Sequence, residues 1–99
     1  MKIDVTQTLK DYEGKEIVGD DKKTLLTLRR VITVALNSMG GGKPIPAEKK
    51  AKAYEVFSKC YKGKEADLTV DDRSFINEQV AEFYSPLVVG RVREILEGK

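Results

Sequence analysis

Apolar residues between positions 28 and 39 recur every three or four places, and this repeat puts them on one face of an α-helix. They are Leu28, Val31, Ile32, Ala35, Leu36 and Met39. Thr27 precedes them as a candidate N-cap. The glycines at 40–42 follow them as a stop, because glycine readily adopts the left-handed conformation that closes helices. The pattern predicts a helix over about 27–39 that buries one face.

Three further helices are predicted, over about 46–62, 70–84 and 86–97. Proline suits the first turn of a helix and glycine its end, so Pro46 and Gly63 delimit the first of the three. Thr69, followed by acidic residues in the next turn, is typical of a capping box at the start of the second. Ser85–Pro86 then ends that helix and begins the last one.

The spacing also predicts which faces of these helices are buried. In the second helix the predicted stripe is Ala47, Ala51, Tyr54, Phe57 and Tyr61, with Ala53, Val56 and Cys60 beside it. In the third it is Ile76, Val80, Phe83 and Tyr84, supplemented by Phe75. In the fourth it is Val88, Val92 and Ile95, flanked by Val89 and Leu96. Gly90 interrupts the last helix at a cost of about 1 kcal/mol relative to alanine, which either a close helix crossing or a tolerated defect explains.

The N-terminal segment has the alternating pattern of a strand. Ile3, Val5 and Leu9 fall on one face, Glu13–Gly14 signals a turn, and 15–18 offers a return strand. A β-hairpin over 2–18 is therefore predicted, and it must pack on the helices because a lone hairpin is marginal in water. The 99 residues fit one domain. The predicted fold class is mostly α (α+β), an N-terminal β-hairpin on a bundle of about four short helices.

Residue types argue against catalysis. The chain has no histidine, which removes the usual general base and the commonest metal ligand. The single cysteine, Cys60, has Lys59 and Lys62 nearby, but it lies beside a predicted core stripe and has no second cysteine to pair with. We therefore expect a protein that is not an enzyme, with no cofactor and no metal site.

Two segments imitate ligand-binding motifs. Gly40–Lys43 has the glycines and lysine of a phosphate-binding loop, but no buried strand precedes it and Pro44 removes an N–H where a helix should begin. Residues 67–78 place acidic side chains at several positions of a calcium loop, but Asp72 stands where that loop needs glycine. We interpret the two segments as an interhelical connector and a helix start.

No stretch of about 20 apolar residues is present, so no membrane span is expected. The first residues, 1–4, also lack the apolar core of a signal peptide. A cytoplasmic location is the expectation.

The charge distribution suggests where partners bind. Residues 43–64 carry seven lysines against two acids, and residues 65–99 carry eight acids against four cations. A basic segment is a usual footprint of nucleic-acid binding, although this one lacks arginine. Alternatively, neighbouring helices of opposite sign complement each other within the fold. The candidate interaction surface is Lys49, Lys50, Lys52, Lys59, Arg29, Arg30, Arg91 and Arg93.

The order of these elements resembles that of small tailed-bacteriophage and prophage proteins without an assigned role. The resemblance covers nearly the whole chain and is carried by 2–5, 9–11, 14–15, 26–31, 35–37, 52–54, 61–63, 67–69, 84–90 and 95–97. It implies a bacterial or virion setting and no catalytic residues. The leading hypothesis is a noncatalytic protein that binds a host factor or a virion-assembly component, through a charged helix or the hairpin edge. The alternative is a nucleic-acid-binding regulator that uses the basic second helix; the oligomeric state is left open.

Overall fold

A computed structural model describes residues 1–19, 24–39 and 43–98 of the chain. Its elements are β1 (Lys2–Asp4), α1 (Leu28–Asn37), α2 (Ala47–Tyr61), β2 (Glu65–Asp67), α3 (Val70–Phe83) and α4 (Pro86–Glu97). Helix α1 packs against α2 and α3, and α3 packs against α4. The predicted α+β class is confirmed: within these three stretches, four helices accompany a small antiparallel β element. No helix in these three stretches is both long enough and apolar enough to cross a membrane.

The first strand has a distant partner. β1 pairs antiparallel with β2, with Ile3 opposite Ala66, and the chain leaves the strand at Val5. The return strand predicted over 15–18 therefore does not pair with β1. It pairs with 8–10 instead, where the Ile17 amide donates to the Leu9 carbonyl oxygen at 2.9 Å. The predicted hairpin is thus present in a shorter form over 8–18, with Gly14 at a φ of 84° in its turn.

The core lies where the N-terminal segment, α1, α3 and α4 meet. Every residue predicted for the buried face of the first helix is buried except Met39, which is half-buried beyond the end of α1. Ile3, Val5 and Leu9 are also buried, as their alternation predicted. The stripe of α4 is rotated slightly, since Leu96 is buried and Ile95 is only half-buried.

Four of the five core positions predicted for the α2 stripe are wrong, including both of its alanines, and one is wrong in α3. Tyr54 is 74% exposed, Tyr61 is 53% exposed, and Phe83 is 53% exposed. The inward side of α2 instead carries Val56 and Cys60, which the sequence placed beside the stripe. The same side also carries two lysines whose ammonium groups bind a buried carboxylate. An apolar pattern alone could therefore not identify the inward side of α2.

The predicted helix ends agree with the structure to within a residue or two. Thr69 forms a capping box with Asp72, as predicted, and Gly98 closes α4 at a φ of 75°. Helix α1 ends at Asn37, two residues before the predicted end. The glycine stop at 40–42, most of the connector at 19–23 and the phosphate-loop glycines lie outside the described residues.

Gly90 has open space beside it. A Cβ atom built on this residue meets no described atom within 4 Å. The close helix crossing considered from the sequence is therefore absent around Gly90, and the residue is a tolerated defect in α4.

Candidate functional site

Two of the eight predicted surface cations bind an internal carboxylate. Asp72, in the first turn of α3, is fully buried. The Lys52 ammonium donates to its Oδ1 at 2.5 Å, and the Lys59 ammonium donates to its Oδ2 at 2.7 Å. The Thr69 amide donates to the same Oδ2 at 3.0 Å. The basic α2 and the acidic start of α3 thus complement each other within the fold.

The contacts of Asp72 keep this cluster ionised. Burial raises the pKa of the Asp72 carboxyl, but the hydrogen bonds from Lys52, Lys59 and Thr69 outweigh burial and hold it well below its ordinary value of 3.8. The hydrogen bond to Asp72 in turn raises the pKa of Lys59 above 10.5. The Asp72 carboxylate and the Lys59 ammonium group are thus held in their charged forms, and the cluster joins α2 to α3.

Arg29 binds the end of α2. Its Nε donates to the Cys60 carbonyl oxygen at 2.9 Å, and a terminal N–H donates to that of Gly63. Its guanidinium also lies 5.6 Å from the centroid of the Tyr61 ring. Carbonyl groups at a helix C-terminus have no partner within the helix, and a cation there is favoured by the helix dipole. The position of Arg29 is explained by α2 without any external partner.

Arg91 has a similar structural role on α4. Its Nε donates to the Lys10 carbonyl oxygen at 2.8 Å, and a terminal nitrogen donates to that of Asp11 at 2.7 Å. The sequence singled out Arg91 but passed over Arg73, which donates to the Leu96 carbonyl oxygen at 3.1 Å and so joins α3 to the end of α4. No local pattern identifies either contact, because the acceptors are main-chain atoms far away in sequence.

The other four predicted cations are exposed. They are Arg30, Lys49, Lys50 and Arg93. Within residues 1–19, 24–39 and 43–98, none of these side chains has a hydrogen-bond or ion-pair partner. Lys50 lines a groove, Arg30 lines a second cavity, and Arg93 is on α4.

The groove next to Lys50 is here named the α1–α2 groove, and its volume is about 500 Å³. It lies between the end of α1, the connector and the middle of α2. Its described lining consists of Leu36, Asn37, Met39, Lys43, Ile45, Lys50, Ala53, Tyr54 and Phe57. Five of these are apolar core or half-buried residues, two are lysines, and none is acidic.

A second cavity, of about 490 Å³, lies at the opposite end of the α1–α2 pair. Arg29, Arg30 and Tyr61 line it together with 24–27 and Gly19. The rings of Phe57 and Tyr61 stack between the two cavities with centroids 4.5 Å apart. One face of α2 therefore carries aromatic rings flanked by cations, although the sequence placed those rings in the core.

The residues that imitate catalytic or metal sites have other roles. Burial raises the pKa of the Cys60 thiol to about 11, although the nearby Arg29 charge acts in the opposite direction, so the protonated thiol is favoured at neutral pH. In the segment that resembles a calcium loop, Asp67 accepts from the Met1 amino group at 3.1 Å and Asp72 is bound by the lysines. The described part of the chain contains no group of three or more candidate metal ligands.

No protein-family model matches the chain, and neither a curated protein nor a solved structure matches it. The features from which a function can be argued are therefore those of the described residues: an ion cluster that joins α2 to α3, a buried thiol, and an apolar groove that carries two lysines.

Proposed function

We propose that this chain is a noncatalytic binding protein that acts on another protein through the α1–α2 groove. The observation that carries the proposal is one concave site that combines apolar walls, a 74% exposed Tyr54 and two lysines without an ion-pair partner in the described stretches. In line with the sequence resemblance, the setting is a bacteriophage or prophage. The partner is then a host factor or a virion-assembly component, met in the bacterial cytoplasm or in the virion.

The make-up of the groove supports a protein partner. Tyrosine is enriched among the residues that dominate binding energy in protein interfaces, since it buries a large rigid surface at low entropic cost. Tyr54 projects from the middle of α2 and has no hydrogen-bond partner in the described stretches. Met39 and Ile45 leave apolar surface beside it, and such surface in a concave site marks a contact region.

A second candidate function is nucleic-acid binding, and the exposed aromatic ring of Tyr54 next to Lys50 is the observation that favours it. Two features argue against nucleic-acid binding. Lys52 and Lys59, half of the basic residues assigned to this role, are bound to Asp72. Tyr61 stacks on Phe57 and has the Arg29 guanidinium over its ring, so this ring offers little face to a base.

Affinity capture from a bacterial lysate tests the proposal with a matched pair of tyrosine variants. The baits are the wild-type chain, Tyr54→Ala and Tyr12→Ala, because Tyr12 is 80% exposed and lies on the hairpin, outside the groove. We expect wild type and Tyr12→Ala to capture the same proteins. The amount that Tyr54→Ala captures should fall at least about tenfold, as expected when a central aromatic side chain is truncated. Quantitative mass spectrometry of each eluate measures the loss.

Nuclease treatment separates the two candidate functions in the same experiment. Capture that survives nuclease and requires Tyr54 supports a protein partner. Capture that disappears with nuclease supports nucleic acid instead. If the Tyr54→Ala bait retains every protein that wild type captures, the groove is not the binding site and the proposal is wrong.

A further inference from the structure

We infer that the occupant of the α1–α2 groove is an acidic segment of a partner protein that inserts a large apolar side chain. The apolar side chain would lie against Leu36 and Phe57, and the carboxylates of the segment would face Lys43 and Lys50. This inference rests on the proposed function and goes further by naming the chemistry of the partner.

Charge complementarity selects an acidic segment. Lys43 and Lys50 are both exposed at the groove, and neither has an ion-pair partner in the part of the chain that the structure describes. Lys52 and Lys59, on the inward side of the same helix, are neutralised by Asp72. The groove thus carries two unpaired positive charges with no acid among its described lining residues. Such a rim steers an anionic partner and rejects a cationic one.

The walls of the groove require an apolar group on the same segment. Leu36 is buried at the base, and Met39, Ile45 and Phe57 are half-buried around it. Methionine adapts its shape to an inserted side chain. Pockets of about 300–1,000 Å³ hold compact ligands, and the groove volume of about 500 Å³ falls in this range. One or two large side chains therefore fit, whereas a purely polar acidic tail would leave the walls in water.

A second copy of this chain is the other acidic occupant to consider. Helix α3 carries Glu78 and Glu82 next to the exposed Phe83. Its insertion into the groove of another copy would be a head-to-tail contact, which builds rings or open chains and makes the mass rise with concentration. The inference commits to a different protein, so such a rise contradicts it.

Fluorescence polarisation with a labelled peptide of Glu, Leu and Phe tests the inference on the full chain. We expect saturable binding, and we expect Lys50→Glu to weaken it at least about tenfold because a rim attraction becomes a repulsion. Lys49→Glu is the matched control, since Lys49 is the preceding residue, is also exposed and lies outside the groove lining. It should change the dissociation constant less than about twofold. Circular dichroism confirms that both variants fold.

Two further probes complete the design. A peptide in which Ser replaces Leu and Phe should lose binding; equal binding would show a charge effect alone and overturn the inference. An oligothymidylate that displaces the peptide and loses affinity with Lys50→Glu would also overturn it in favour of nucleic acid. So would equal losses in the Lys49 and Lys50 variants, or a mass of the free chain that rises with concentration.

The two proposals fail in different ways. If the acidic peptide does not bind while lysate capture still requires Tyr54, the groove binds a protein of other chemistry, and only this inference falls. If the peptide binds as expected but no captured protein requires Tyr54, the acidic specificity stands and the proposed function falls.

Discussion

Asp72 is the residue on which the joining of α2 to α3 depends. Its carboxylate accepts from two lysines of α2 and from the Thr69 amide, and its own amide donates to Thr69 Oγ1 at 3.1 Å. A buried carboxylate is costly unless charged and hydrogen-bonded partners surround it. Here every buried polar side-chain atom in the described stretches has a partner. Removal of the Asp72 charge is therefore expected to destabilise the fold.

Substitution of Asp72 by Asn should lower the free energy of unfolding at neutral pH by about 2–3 kcal/mol, because two lysines lose their counter-ion while retaining access to water. Since folding lowers the Asp72 pKa, its contribution is complete above the ordinary value of 3.8 and is lost as the pH falls below it. The difference between wild type and variant should therefore shrink in acid. Urea unfolding at a series of pH values measures it, and a constant difference down to the acid limit would contradict the ion cluster.

At alkaline pH, the free energy of unfolding should change with pH in the opposite direction. Folding raises the pKa of Lys59, so its contribution is complete below 10.5 and is lost as the pH rises through the folded value. The wild-type chain should show a stability plateau between these two limits. In the Asn variant, Lys59 has lost its carboxylate partner. Its contribution to stability should therefore be absent at both the acid and the alkaline end of this range.

At the residue scale, the sequence predicts the local contacts and misses the distant ones. The Thr69 cap is predictable because both of its partners lie within one helical turn. The partners of Lys52 and Lys59 are not, because the same lysines are compatible with a solvated face, a nucleic-acid surface or a buried acid. Only the rotation of α2 about its axis decides between these alternatives.

Helix α2 illustrates the same limit at the scale of an element. Its ends are predicted to within a residue, since proline and glycine mark them. Its buried side is not, because two apolar stripes, one with large aromatic rings and one with Val56 and Cys60, compete. The smaller residues face inward, since that orientation also places Lys52 and Lys59 at Asp72. The aromatic stripe is consequently available at the surface, where it forms part of the candidate site.

Substitution by alanine should change the stability in opposite directions at two glycines, Gly90 inside α4 and Gly98 at its C-terminal end. Gly90→Ala should raise the free energy of unfolding by about 0.5–1 kcal/mol, because alanine is the better helix former and its Cβ meets no described atom within 4 Å. Gly98→Ala should lower it by about 1 kcal/mol, because the residue has a φ of 75° and the new Cβ would lie 3.2 Å from Met1 Cε. Thermal or urea unfolding monitored by circular dichroism gives both signs. Equal destabilisation by both substitutions would mean that Gly90 is required by a contact.

At the scale of the whole molecule, the N-terminal residues belong to the core of the helical part. Ile3 pairs across 63 positions with Ala66, and the Arg29 amide donates to the Val5 carbonyl oxygen at 2.8 Å. Removal of residues 1–18 would take three buried side chains, Ile3, Val5 and Leu9, out of the core. The truncation would therefore unfold the chain, and it cannot test the hairpin edge as a docking site. Point substitutions on the folded chain are needed instead.

Arg91 connects the far end of this N-terminal segment to α4, and its removal should loosen the whole assembly. Two hydrogen bonds from a charged donor to the Lys10 and Asp11 carbonyl oxygens are lost in Arg91→Ala, which should cost about 1–2 kcal/mol. Arg93→Ala is the control, because Arg93 is exposed on the same helix without a described partner, and should change stability by less than about 0.5 kcal/mol.

Hydrogen exchange locates the effect of Arg91→Ala. The amides of Ile17 and Leu26, which donate within the N-terminal segment, should lose protection first. The amides in the middle of α3 should exchange only through global unfolding. This order is expected because the hydrogen bonds of Arg91 to main-chain oxygens go to Lys10 and Asp11 in the hairpin. If both arginine variants unfold at the same urea concentration as wild type, the hairpin is held by its buried side chains alone. Its position would then depend on the buried Leu9 in the core, with no contribution from the charged donor.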